Sequence, residues 1–550
     1  MRVYERLAAN FAAEGVTTVF GMMGSATMHW WHALDKVGVK QIVVRHEGVG
    51  CGMADGWARA TRTVGVCTAT KGPGVTQLAS ALVTANRAGS PLVAFVGDCS
   101  AGDYENVQYL DQARVAGACE TGFVRVDSPD EVDQAVRRAF YLAKVESRPI
   151  MLSAPDNVQK AQLEDDEPYK PSSTLLASRE IIPPNPEKVA KAADIIASSR
   201  KPVIVVGRGA MWSGAGDAVN RLGKRIGALI ATTLRAKNWL GDAEYHVGIS
   251  GLYSTRTAMQ LFEQADCIIA IGASMTRYTT VSGFLYSNAR IVHVDSKPHV
   301  LMDAGLVADC YVQSDARLGS EAITDLLAQR SVTITGYRTP EVKEKLRNHF
   351  EDRTEFEIEP GRVDPRPVCR TLDEVIPAHI SVATSSGHGA GFTNMLLNRP
   401  RPLVLASKFF NCVGQMLPAA MGAVLATGNK PMFLVDGDAS VIMHLADFHT
   451  AVRYGIPLLV VVMNDEALGA EYQHLRSHNM NAELAVNPIP DLGAFAEWCG
   501  GKGRLARSVE EVRTAAQQWV AKPCPMILDV RISRNVQAIP VRRTDYARDE

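Results

Sequence analysis

Two short acidic stretches stand at the ends of two strongly apolar runs. They are Asp436-Gly437-Asp438-Ala439-Ser440 after PMFLV and Asn464-Asp465-Glu466-Ala467 after PLLVVVM. Both runs read as buried parallel strands, and HLADFHTAVRYG between them reads as a helix. In an open parallel sheet, ligands bind outside the carboxyl ends of the strands. Two strand ends joined by one helix therefore bring Asp438 and Asp465 to one edge. Such a pair can hold a hard cation through oxygen. Mg2+ is typically held by one or two carboxylates plus phosphate oxygens. The glycine turn before Ser440 offers backbone N–H groups to that phosphate. A lone Asp-Gly-Asp is most often an ordinary loop. The second acidic strand end, in step with the first, is what points to chemistry.

A further carboxylate, Glu47, opens a helix directly after the strand QIVV at 41–44. The helix dipole favours its ionised form. A capping glutamate is the plain alternative. Gly72-Pro73-Gly74 links the apolar strand VGVCTAT to a helix that runs to about Ala88. His29-Trp30-Trp31-His32 fits either an aromatic core or a pocket lining. His444 and His449 read as packing or surface residues.

The elements that must position these groups alternate strand and helix along the whole chain. The strands are continuously apolar, as in sheets covered on both faces. The pattern predicts an α/β protein with three consecutive doubly wound parallel-sheet domains. Their boundaries are expected at 1–165, 186–335 and 360–536. Charged, Pro- and Ser-rich stretches at 164–186 and 337–366 read as links. No short repeat period is visible. The closing RRTDYARDE is expected to be a solvated tail.

The 550 residues suggest about three domains at about 100–200 residues each. Hydrophobic residues make up 46% and the formal net charge is −1. That charge gives no electrostatic footing for nucleic acid or an anionic membrane. The ten cysteines include no C-x-x-C, which argues against a zinc ribbon or a thioredoxin-like site. The N-terminus is amphipathic, unlike a signal peptide. No apolar run approaches the about 20 residues of a membrane span. A cytoplasmic protein is expected.

At the acidic strand ends the chain resembles the thiamine diphosphate enzymes, of the acetolactate synthase and benzaldehyde lyase type. Their metal motif is Gly-Asp-Gly-Ser, a helix, and a strand ending in Asn-Asn, with 27 positions between the two metal side chains. Asp438 and Asp465 are also 27 positions apart. The resemblance implies Mg2+ ligands at Asp438, Asp465 and the carbonyl of Ala467. Arg45-His46-Glu47 resembles the catalytic-glutamate segment. There the carboxylate bonds a ring nitrogen of the cofactor and promotes deprotonation of the thiazolium carbon. Gly24, Gly387, His388, Val413, Gly414, Gly437, Ala439 and Ser440 are then expected to border the cofactor. Gln112 is expected to face substrate as a second catalytic residue. Four positions depart from the family: Ala439 replaces Gly, Asp465 and Gln77 replace Asn, and Val413 is smaller than the usual wedge.

What the resemblance implies is a carboligase, lyase or decarboxylase acting on a 2-oxo acid or 2-hydroxy ketone. It also implies a homodimer or homotetramer whose active site lies between chains. The central domain binds FAD in some members and nothing in others, so FAD stays open. The substrate-gripping arginine of acetolactate synthases aligns near Arg277 or Tyr278, one register off. Within the family, a 2-hydroxyacyl-CoA lyase, a cyclic-dione hydrolase and a flavin-linked oxidase are alternatives. A cofactor-binding homologue without catalysis is the alternative of another class. No G-x-G-x-x-G opens a helix with an acid about 20 residues on, which argues against a Rossmann-type NAD enzyme.

Overall fold

The computed structural model describes residues 1–164, 167–176, 181–240, 243–298, 302, 307–347, 349–407 and 410–546. The first sheet contains β1 (Thr18–Gly21), β2 (Lys40–Val43), β3 (Gly65–Ala69), β4 (Leu92–Asp98), β5 (Gly122–Arg125) and β6 (Pro149–Pro155). The second contains β7 (Pro202–Val206), β8 (Leu229–Thr232), β9 (His246–Ile249), β10 (Cys267–Ile271), β11 (Arg290–Asp295) and β12 (Cys310–Gln313). The third contains β13 (Ser381–Thr384), β14 (Val404–Ala406), β15 (Met432–Gly437), β16 (Leu458–Asn464), β17 (Lys502–Ala506) and β18 (Met526–Arg531).

The strand orders are β2-β1-β3-β4-β6-β5, β12-β11-β10-β7-β8-β9 and β14-β13-β15-β16-β18-β17. Every pairing within these sheets is parallel. The fold is the three-sheet α/β architecture that the apolar runs predict. The first and third sheets share one topology. Strands β4, β7, β10 and β16 are buried at every position, because helices cover both faces.

Six strands escape the sequence-based prediction: β5, β6, β8, β9, β12 and β17. β5 and β17 are short edge strands with mixed burial. β6 is fully buried but bounded by prolines at both ends, which read as turn punctuation. The chain end also differs from expectation. Ile539–Tyr546 is a helix rather than a solvated tail. Arg542 bonds Asp352 and Thr354, and Arg543 donates to the Leu252 carbonyl. These partners lie far away in sequence, so a run of charges looked solvated. Residues 547–550 lie outside the described set.

The first and third units pack directly on each other. The helix Glu47–Thr61 crosses the helix Met416–Ala426. A Cβ added at Gly56 would lie 1.9 Å from the Ala419 carbonyl oxygen, and one at Gly422 1.9 Å from that of Met53. Only glycine allows backbones that close. Phe20 and Met53 share one hydrophobic cluster with Met416 and Leu434, so the core runs across both units. The central unit grips the third through a helix end. Lys237 and Asn238 donate to the Leu397 carbonyl, just past the helix Gly389–Leu396. Donors there complement the negative end of the helix dipole.

Trp30 is fully buried against Phe11 and Phe95, with ring centroids 5.2 and 4.3 Å away. Trp31 is buried as well. The paired tryptophans are core, and the pocket-lining alternative falls. No helix among the described residues is long and apolar enough to cross a membrane.

Candidate active site

The third sheet delivers its acids as the strand pattern predicts. β15 and β16 lie side by side in parallel register, so their carboxyl ends share an edge. Asp436 ends the apolar part of β15 and is fully enclosed. Its Oδ1 accepts from the Gly437 N–H at 2.8 Å and its Oδ2 from the Ser440 hydroxyl at 2.8 Å. Burial pushes this carboxyl up to about 6 despite those bonds. Ser440 Oγ in turn accepts from the Gly414 N–H at 2.9 Å. One chain of bonds thus fastens the Val413-Gly414 loop to the acidic turn.

Asp438 begins the helix Asp438–Met443 and is buried. Burial, and then the charge of Asp465, push its carboxyl up to about 8. Two enclosed carboxylates that repel each other hold a proton more tightly than usual, and a divalent cation taken up in its place would relieve the same repulsion. Asp465 Oδ1 also accepts from the Ala467 N–H at 3.2 Å. Among the described residues, no three His, Cys, Asp or Glu side chains converge as a metal cluster. Ala439 lies inside the helix, where a Cβ costs nothing, so this departure from glycine is tolerated.

His388 approaches from β13. Its Nε2 accepts from the Ala538 N–H at 3.1 Å. A neutral ring that accepts at Nε2 carries its proton on Nδ1. That Nδ1 lies 3.8 Å from Asp465 Oδ2 and has no hydrogen-bond partner among the described residues. A buried, unmatched donor therefore faces the acidic pair. Gly387 and Gly414 have φ of 80° and 90°, the left-handed region that favours glycine. Val413 is 41% exposed at the mouth of this loop.

Glu47 is the first residue of its helix, after His46 as cap. A Cβ added at Gly74 would lie 3.3 Å from Glu47 Oε1, so the Gly-Pro-Gly loop leaves room beside the carboxylate. The His46 ring stands 5.4 Å from that of His444. Burial, then the neighbouring His46, lower His444 to about 4. The Arg45 N–H donates to Asp447 Oδ1 at 2.9 Å, and the Val43 N–H to the Tyr454 hydroxyl at 2.9 Å. The start of the Glu47 helix therefore meets the face of the third unit that also carries Gly414. His46, His444 and Asp447 were missed as site neighbours. Only the His before Glu47 left any signal in the sequence.

Gly24 is half-buried and packed closely on Thr70, whereas Gln112 sits deeper. A Cβ added at Gly24 would lie 2.5 Å from the Thr70 side chain. Gln112 is buried, and its Nε2 donates to the Gly97 carbonyl at 2.9 Å and to Asp98 Oδ1 at 3.1 Å. Its Oε1 has no partner among the described residues.

Family models match each of the three units. Residues 1–116 match the thiamine pyrophosphate enzyme N-terminal TPP binding domain. Residues 189–324 match the central domain, and 387–530 the C-terminal TPP binding domain. The chain belongs to the thiamine pyrophosphate enzyme family. It is 29% identical to an acetolactate synthase large subunit of Parasynechococcus marenigrum, over 96% of this chain and 87% of that one. It is 27% identical to a probable acetolactate synthase large subunit of Methanocaldococcus jannaschii, over 98% and 93%. It is 28% identical to the large subunit of acetolactate synthase isozyme 2 of Escherichia coli, over 94% and 93%.

Proposed function

We propose that this chain is a thiamine diphosphate- and Mg2+-dependent carboligase that converts two pyruvates to 2-acetolactate and CO2. The observation that carries the reading is the buried Asp438–Asp465 pair with the unmatched Nδ1–H of His388 turned toward it. Asp438, Asp465 and the Ala467 carbonyl would hold Mg2+. His388 would donate to the diphosphate, which would lie against the turn of Gly437, Ala439 and Ser440. Val413, Gly414, Gly387 and Gly24 would border the rest of the cofactor. When bound, the cofactor supplies a carbon nucleophile and an electron sink.

The chain's own groups do the rest. Glu47 would hold a proton at the cofactor's ring nitrogen. The enclosure by His46 and His444 would keep water from that proton. Gln112, steadied by Gly97 and Asp98, would turn its Oε1 to the substrate. In the reaction one carbon–carbon bond breaks with loss of CO2, one forms to the second carbonyl, and one proton is taken up. No net oxidation occurs, so a flavin would not be consumed. The central unit does carry an open cleft of about 420 Å3, bordered by Trp212, Gly272, Asp295 and Arg317. A yellow protein after gel filtration would assign FAD to it.

A homodimer or homotetramer with the site between chains is part of the proposal. Val107 is 100% exposed, and Tyr104 and Tyr109 stand exposed beside it. Apolar groups left in water suit a partner surface. A cytoplasmic location is supported by ten cysteines, all unpaired.

The test is pyruvate incubated with pure protein, thiamine diphosphate and Mg2+, followed by proton NMR. Acetolactate that forms only with both cofactors is the expected result. Unchanged pyruvate overturns this substrate assignment. It would redirect the site to 2-hydroxy ketones, acyl-CoA donors or cyclic diones. Tight cofactor binding with no turnover on any donor would favour the homologue without catalysis.

A further inference from the structure

Glu466 separates Asp465 from Ala467, the two residues that the proposed metal site takes from this loop. Its φ is 55°, a left-handed conformation that costs any residue with a Cβ. Something must hold the loop there. The side chain does so from two directions. Glu466 Oε2 takes the Nη2 of Arg362, which comes from the segment before the third unit. Oε1 takes the Nη1 of Arg531, at the end of β18, at 2.7 Å. Arg534 lies 3.9 Å from Oε2.

The backbone is pinned as well. The Glu466 N–H donates to Asn464 Oδ1 at 3.1 Å, and its carbonyl accepts from the Asn487 N–H at 2.8 Å. Asn464 Nδ2 and Arg531 Nη2 both donate to the buried Asp529, at 2.8 and 3.2 Å. The network is largely buried, with charge-assisted bonds on both carboxylate oxygens. None of it touches the acidic pair directly.

We propose that Glu466 is a positioning residue: clamped by Arg362 and Arg531, it holds the strained turn that directs Asp465 and the Ala467 carbonyl toward Asp438. This rests on the Mg2+ site proposed above. With the clamp removed, the loop relaxes and must be bent back each time the metal binds.

The test uses the full chain, stripped of metal by chelation. Mg2+ is titrated at fixed thiamine diphosphate, and cofactor binding is read by circular dichroism and calorimetry. Glu466→Ala should raise the half-saturating Mg2+ about tenfold, by the left-handed cost it can no longer suppress. Glu466→Gly loses the same charge but adopts the turn freely, so its shift should be clearly smaller. Arg362→Gln loosens the clamp from outside the loop and should also raise the Mg2+ needed. The kcat at saturating Mg2+ should stay close to wild type in all three. A lower melting temperature with unchanged Mg2+ affinity would make the cluster a plain stability device and overturn the proposal. Equal shifts for Ala and Gly would also overturn it, because lost charge alone would then account for them. Failure of the metal reading looks different: wild type and Asp438→Asn would then bind the cofactor alike with or without Mg2+.

Discussion

Glu47 and His388 show how single groups are prepared before any ligand arrives. Glu47 sits at the positive end of its helix, beside a loop whose Gly74 leaves it room. His388 has its tautomer set by one backbone N–H. Replacing Glu47 by Gln removes the carboxylate proposed to hold the proton but leaves the acidic pair untouched. The expected loss in kcat is about 10²–10⁴-fold, the usual span for a general acid–base group. Affinity for thiamine diphosphate and Mg2+ should change little. Steady-state kinetics with parallel calorimetry would check this, and a fully active variant would remove Glu47 from catalysis. The sequence showed Glu47, Asp438 and Asp465 because each follows an apolar strand. It did not show His444, Asp447 or Glu466, whose partners are brought in by other elements.

At the scale of elements, the decisive contact is the crossing of Glu47–Thr61 with Met416–Ala426. Both helices follow second strands in sheets of the same topology, β2 and β14. Their glycines let the backbones touch, and the starts of both helices face the site. A methyl group at Gly56 would collide with the Ala419 carbonyl. Gly56→Ala should therefore force the helices apart and cost about 1–3 kcal/mol, the range for overpacking. A lowered denaturation midpoint with weakened cofactor binding is expected. An unchanged melt would mean that the crossing adapts more easily than its geometry allows. The second element contact, Lys237 and Asn238 on the end of Gly389–Leu396, ties the central unit to the helix that begins beside His388.

On the whole-molecule scale, the first and third units share one core and the central unit braces the third. Within one chain, the Glu47 helix already rests on its own third unit. A site shared between chains would instead pair Glu47 with the partner's diphosphate side. Mixing inactive Glu47→Gln and Asp438→Asn proteins separates the two arrangements. Random reassortment gives about half mixed dimers, each with one intact site, so about a quarter of native activity should return. No recovery after subunit exchange, confirmed by tagged copies, would assign each site to a single chain.

Sequence alone determined the class of fold and the placing of Glu47, Asp438 and Asp465 just after apolar strands. Strand periodicity, glycine turns and acids at strand ends are local properties, written within a few residues of each other. It did not determine the edge strands β5 and β17, the closing helix Ile539–Tyr546, or the clamp around Glu466. The edge strands are short and half exposed, so their own residues carry little pattern, while the helix and the clamp take partners more than a hundred positions away, such as Asp352 for Arg542 and Arg362 for Glu466. Nor did it show that the first and third sheets match in topology, because equal strand order needs no equal residues. Tertiary structure decided these, since a charged run becomes a solvated tail or an anchored helix only according to what folds against it.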